Sequence, residues 1–142
     1  MREKLKVTTA QLKHRLLERY PKSRFTPLPG DKADALRARY PGVPEDYVQF
    51  LTEIGYGRIG GGRLSVYSGP VEADDIYDEQ TAAALAGVLL VGDDFTGYCV
   101  GYATGLGWVW GGVDDACTFS PMEGIGTFVA FIEYWCFGPD SP

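Results

Sequence analysis

Asparagine is absent from this chain, and histidine occurs once, as His14. Without asparagine, tight turns fall to Gly, Pro and Asp, which are abundant. A single histidine removes most routes to acid–base or nucleophilic catalysis, because no second histidine or adjacent carboxylate orients it. There is also no His-x-x-Glu pair, nucleophile elbow, histidine-paired cysteine or phosphate loop. The expectation is therefore a protein that is not an enzyme and carries no cofactor.

Long apolar runs are missing as well. No stretch approaches the about eighteen residues a membrane span requires, and the basic start Met1-Arg2-Glu3-Lys4-Leu5-Lys6 is not followed by the apolar segment of a signal peptide. A cytoplasmic protein without membrane contact is expected. Cys99, Cys117 and Cys136 are odd in number and widely spaced among apolar neighbours. They read as small buried hydrophobes in a reducing compartment rather than as bridges or zinc ligands.

Positive charge is scarce beyond residue 39. Residues 1–39 hold eleven Lys and Arg against four Asp and Glu, a local +7, whereas residues 40–142 hold two against fifteen, a local −13. A basic leader thus precedes an acidic body. Such a body repels the phosphate backbone of nucleic acid and favours a basic partner.

At 142 residues with 45% hydrophobic content, the chain has material for one core, and a single domain over 1–142 is expected. Within it, a basic N-terminal helix in 1–24 leads into a core over 25–137. Thr8 or Thr9 can cap a helix to about Tyr20, with Leu12, Leu16 and Tyr20 on one side and His14 exposed on the other. Residues 21–30 read as an extended connector. Asp31 offers a cap for a short helix to Tyr40, ended by Pro41-Gly42.

Next comes the best-marked helix. Pro44 suits its first position, Glu45 and Asp46 complement the positive end of the dipole, and Gly55 can end it in the left-handed conformation. Tyr47, Phe50, Leu51 and Ile54 fall at i, i+3, i+4 and i+7, which predicts one buried face. The following Gly55-Tyr56-Gly57-Arg58-Ile59-Gly60 is a literal GxGxxG. A dinucleotide site needs a strand before the glycines and a helix after them, and here the order is reversed, so the stretch reads as a turn into a sheet.

Strands are expected at Leu64–Val66, ending at Ser68-Gly69-Pro70, and at Val88–Val91, whose continuous apolar run marks a strand covered on both faces. Between them, alanine-rich Glu79–Ala86 suits a helical turn or two. Tyr98, Val100 and Tyr102 alternate with Cys99, Gly101 and Ala103, giving an aromatic face and a small-residue face. Trp108-Val109-Trp110 predicts a further strand broken or bulged at Gly111-Gly112, and Cys117-Thr118-Phe119 a short last one. Phe128, Val129, Ile132, Trp135 and Cys136 form a wide stripe on a closing helix ended by Gly138-Pro139. The fold class expected is α+β, with N-terminal helices, a mostly antiparallel meander and a C-terminal helix.

This wording resembles the SMI1/KNR4 family, also called the SUKH superfamily, over roughly residues 25 to 137. Val43-Pro44 with Tyr47, Phe50 and Leu51 match the family's helix, and Gly55 and Gly57 its glycine exit. Asp93-Asp94 with Gly97 resembles its acidic turn, and Thr127-Phe128 with Phe131-Ile132 its final helix. The chain departs at Ile54, where many members have Asn, and at Tyr102-Ala103, where many have Asp. The resemblance implies the same order of elements. It also implies, for bacterial members, an immunity protein that binds and neutralises a cognate toxin of a polymorphic toxin system, often a basic nuclease.

Three acidic pairs are the candidate partner-binding residues: Asp74-Asp75, Asp93-Asp94 and Asp114-Asp115. If the meander brings their turns to one end of the sheet, they form a single patch suited to Lys and Arg of a partner. The competing readings are solvated turns that use Asp for its turn chemistry, and a hard-cation site, for which the one-three-five ligand spacing is missing. Trp108 and Trp110, with Tyr98 and Tyr102, form either a core layer or, if that side is open, the aromatic anchors of an interface. Toxin neutralisation by this acidic face is the favoured function. The alternatives are a regulatory or scaffolding adaptor with several partners, and a small-ligand or metal-binding domain.

Overall fold

The computed structural model describes residues 8–138. Seven strands form one antiparallel sheet whose spatial order equals the chain order: β1 Arg24–Thr26, β2 Tyr56–Ile59, β3 Leu64–Glu72, β4 Val88–Asp93, β5 Cys99–Ala103, β6 Val109–Val113 and β7 Phe119–Pro121. Helix α1 Thr9–Arg19 precedes β1, and α2 Gly30–Arg39 and α3 Glu45–Glu53 lie between β1 and β2. The short α4, Glu79–Ala84, lies between β3 and β4, and α5, Phe128–Phe137, closes the fold. The architecture is α+β, a meander with helices before and after it. No described helix is long and apolar enough to cross a membrane.

Helix ends follow the local chemistry. Thr8 caps α1 in a reciprocal box with Gln11, and Thr127 caps α5 by accepting from the Ala130 N–H. The expected Asp31 cap of α2 is not made. The cap position lies two residues earlier, at an extended Pro29 whose carbonyl accepts from the Ala33 N–H, and Asp31 lies in the first turn of the helix. Pro44 likewise precedes α3 as its cap residue.

Strand alternation sends side chains to two faces. On one, Val66, Val91, Val100, Tyr102 and Trp110 meet Leu12 and Leu16 of α1, Tyr47, Phe50 and Leu51 of α3, and Phe128, Phe131 and Ile132 of α5. On the other, Val88, Leu90, Cys99 and Val113 pack with Ala73 and Leu85 from the β3–β4 connection. β4 is therefore covered on both sides, as its apolar run predicts.

Several strands differ from expectation. Arg24–Thr26 in the supposed connector pairs with β2, which itself runs through the GxGxxG stretch, so this segment is edge sheet rather than a turn. Any Cβ at Gly57 would lie 2.0 Å from the Arg24 carbonyl oxygen. Glycine there permits strand pairing, which a phosphate-loop or loop reading of glycines overlooks. β3 continues through Pro70 because its register with β4 is interrupted between Val66 and Val71, where a missing N–H costs no ladder bond. β6 likewise passes through Gly111 and Gly112 unbroken. A Cβ at Gly112 would lie 2.1 Å from the Tyr98 hydroxyl, and one at Gly111 would lie 2.6 Å from the Phe119 ring. Each glycine therefore seats a ring on its own face of the sheet. β7 starts two residues later than expected, because the turn closing on Asp114 extends through Thr118.

Gly112→Ala is expected to displace the Tyr98 ring and cost about 1–3 kcal/mol, the usual penalty of overpacking, as a lower denaturant midpoint. Gly105→Ala, with open space at its Cβ, is the control and should leave the midpoint within about 1 kcal/mol of the parent. The Tyr47 hydroxyl is buried without a hydrogen-bond partner. Tyr47→Phe is accordingly expected to be neutral or stabilising by about 1 kcal/mol.

Candidate functional site

The meander divides the three acidic pairs between opposite ends of the sheet. Asp93 ends β4 and pairs in register with Ser65 and Cys99, and Cys99 pairs with Val113 at the end of β6. The turns of Asp93-Asp94 and Asp114-Asp115 are thus neighbours at one end. Asp74 and Asp75 form a 3₁₀ turn following Glu72, which pairs with Leu89 near the start of β4, at the other end. The expected single patch of six carboxylates does not exist, because β3 and β4 run antiparallel and each pair follows the end of its own strand.

At the first end the carboxylates are partly engaged in shaping their own turns. Asp93 accepts from the Tyr67 hydroxyl at 2.5 Å and from the Phe95 N–H at 2.9 Å. Asp94 accepts from the Thr96 hydroxyl and N–H and, at 3.3 Å, from the Tyr98 N–H. Asp114 closes the next turn by accepting from Ala116 and Thr118 N–H groups. This is the turn chemistry expected of Asp where Asn is absent.

Charge is nevertheless retained. Burial pushes the Asp94 carboxyl upward, but the Thr96 and Tyr98 hydrogen bonds outweigh it, and its pKa lies below the ordinary range. Tyr98 is pushed up by burial first and then by Asp114 and Asp94, so one phenol senses both turns.

Apolar groups accompany this charge. Phe95, at the tip of the β4–β5 turn with φ +70°, is 47% exposed, and Tyr134 on the outer side of α5 is 45% exposed. Tyr98 stacks on Trp135 with centroids 6.1 Å apart. Together with Asp94 and Glu123, Tyr98, Tyr134 and Trp135 line a hollow of about 460 Å³. In comparisons with protein-family models, curated proteins and solved structures, nothing matches this chain.

The two tryptophans part company. Trp110 is 1% exposed and is enclosed by Phe128, Phe131 and Tyr102 at 5.0–5.7 Å. It is a core residue and cannot touch a partner, which corrects its place among the binding candidates. Trp108 is half-buried at the opposite end from Asp93, beside Asp74 in a separate trough. His14 is exposed on α1. Cys99, Cys117 and Cys136 are free thiols, and burial pushes Cys136 up to about 12. Among the described residues no group of three or more His, Cys, Asp or Glu is disposed to hold a metal ion.

Sequence reasoning missed Phe95, Glu123 and Tyr134 as parts of the acidic end. Two signals were there to read. Phe95 is an apolar residue inside a Gly-Asp-Asp-Phe-Thr-Gly turn, where nothing local can bury it, and Tyr134 falls outside the apolar stripe of α5.

Because the folded pKa of Asp94 is depressed, its stabilising share is present above the unfolded value near 4 and is lost as pH falls through the folded value. Asp94→Asn keeps an acceptor oxygen for the turn but does not titrate. The variant is expected to show a shallower loss of thermal stability between about pH 5 and pH 2 than the parent. An identical pH profile would show that the turn does not carry this linkage.

Proposed function

We propose that this chain is a protein-binding module that neutralises a basic protein partner, in the manner of an immunity protein acting on a cognate toxin. The supporting observation is the pairing of Asp93-Asp94 and Asp114-Asp115 on adjacent turns, rimmed by exposed Phe95 and Tyr134. Carboxylates steer a cationic partner and suppress wrong ones, while exposed aromatic groups supply the area that slows dissociation. The −13 balance of residues 40–142 extends the steering field beyond the patch. The SMI1/KNR4 resemblance points the same way. A nuclease toxin must be basic to hold nucleic acid, and an acidic surface docked over its cleft would exclude the substrate.

Capture of partners with the tagged protein from its own host, washed at low and high salt, tests this reading. One near-stoichiometric basic partner is expected, with association slowing as salt rises. Asp115→Lys combined with Glu123→Lys leaves the hydrogen bonds of both turns in place. It should slow association by about tenfold or more at low salt, with a smaller effect at high salt. Several substoichiometric partners indifferent to these changes would favour an adaptor instead.

A further inference from the structure

At the sheet end opposite the Asp93 and Asp114 turns, a trough of about 670 Å³ runs between the C-terminus of α2 and α4. Tyr40 and Trp108 contribute rings to its wall, and Glu72, Asp74 and Glu79 contribute carboxylates. Trp108 holds a left-handed backbone, φ +64°, which a bulky side chain adopts only under constraint from its surroundings. Its indole lies over Gly42, where any Cβ would come within 3.2 Å of Nε1, and its ring meets Tyr102 edge-on at 5.5 Å. The strain is thus held in place by packing on two sides.

A cation of this chain already lies at the mouth of the trough. The Arg39 guanidinium lies 5.3 Å from the centre of the Tyr40 ring, donates from Nε to the Tyr40 hydroxyl at 3.0 Å, and reaches Glu72 at 3.4 Å. Its side chain is 68% exposed, so it sits at the mouth rather than within. Asp74 and Glu79 make no ion pair among the described residues. A guanidinium therefore satisfies one part of an aromatic and carboxylate lining while further negative charge stays uncompensated.

We propose that this trough receives an arginine side chain of a protein partner, seated against the Tyr40 and Trp108 rings and neutralised by Asp74 and Glu79. Arg39 marks the chemistry at the mouth and competes for Glu72. A planar guanidinium suits ring faces and carboxylate forks better than the compact ammonium of lysine. The site is separate from the acidic end and does not depend on that end binding a toxin.

Titration of the full chain with acetyl-Gly-Arg-Gly-amide, read by the tryptophan indole N–H resonances, tests the proposal. Trp108→Phe assigns its resonance. The expected result is a saturable shift of the Trp108 indole with a dissociation constant on the order of a millimolar. Binding should be weaker for the lysine peptide and absent for the glutamine peptide. Asp74→Asn with Glu79→Gln, both at exposed positions and leaving the fold intact, should weaken arginine binding by about fivefold. Arg39→Ala should tighten it by roughly twofold or more by removing the competitor.

Equal shifts with the glutamine peptide would overturn the proposal, as would no shift up to about 20 mM. A shift confined to the Trp135 indole, which stacks on Tyr98 beside the Asp94 turn, would overturn it while leaving the acidic end as a binding surface.

Discussion

The structure depends on one aromatic interlock. Trp110 of β6 lies against Phe128 and Phe131 of α5, Phe128 meets Tyr47 and Phe50 of α3, and Tyr102 of β5 touches both Tyr47 and Trp110, at 5.0–6.2 Å. Most of these contacts are edge-on, the geometry that ring quadrupoles favour, each worth about 0.5–1.5 kcal/mol beyond the area buried. Because the interlock joins the two most apolar helices to the middle of the sheet, it fixes which face of the meander is sealed. It also fixes where α5 lies, and hence the position of Trp135 and Tyr134 beside the Asp94 turn. A bond from the Val129 N–H to Asp46 at 3.0 Å ties α3 to the start of α5. At the other end of α5, Trp135 donates to the Arg63 carbonyl, and the Arg63 guanidinium caps the Trp135 carbonyl.

With α1, α3 and α5 committed to one face and the β3–β4 connection packed on the other, charge is left to the ends of the sheet. A meander places alternate turns at opposite ends, so its acidic turns separate into two groups by topology alone. One group shares its end with exposed phenyl and phenol groups. The other shares a trough with Tyr40, Trp108 and a resident arginine. Both combine carboxylates with aromatic surface, and both suit cationic partners, but they differ in form. The first is a turn surface beside a hollow of about 460 Å³, and the second is a larger trough of about 670 Å³.

Much of this was legible in the residues. The 3.6-residue spacing in α3 and α5 and the apolar run of β4 follow directly from which faces must be buried, and the meander follows from short strands joined by Gly and Asp turns. The edge strands were not legible. Arg24–Thr26 and Tyr56–Ile59 are only three and four residues long, too short for an alternation to stand out, and their pairing is stabilised by close backbone approach at glycines whose role is visible only in three dimensions. The same limit applied to the acidic pairs. Their turn chemistry could be read locally, whereas their grouping depended on strand direction. Trp110 looked identical to Trp108 in sequence, and only the seating of Phe128 and Phe131, in the first turn of α5, against its ring decided that one is sealed.

Amide hydrogen exchange, compared between the free protein and its complex with the captured basic partner, tests the central claim most directly. Added protection confined to the turns at 94–98 and 114–118 and to the exposed side of α5 near Tyr134 is the predicted result. Protection on α1 and α3 with those turns unchanged would contradict the assignment of the acidic end as the binding surface.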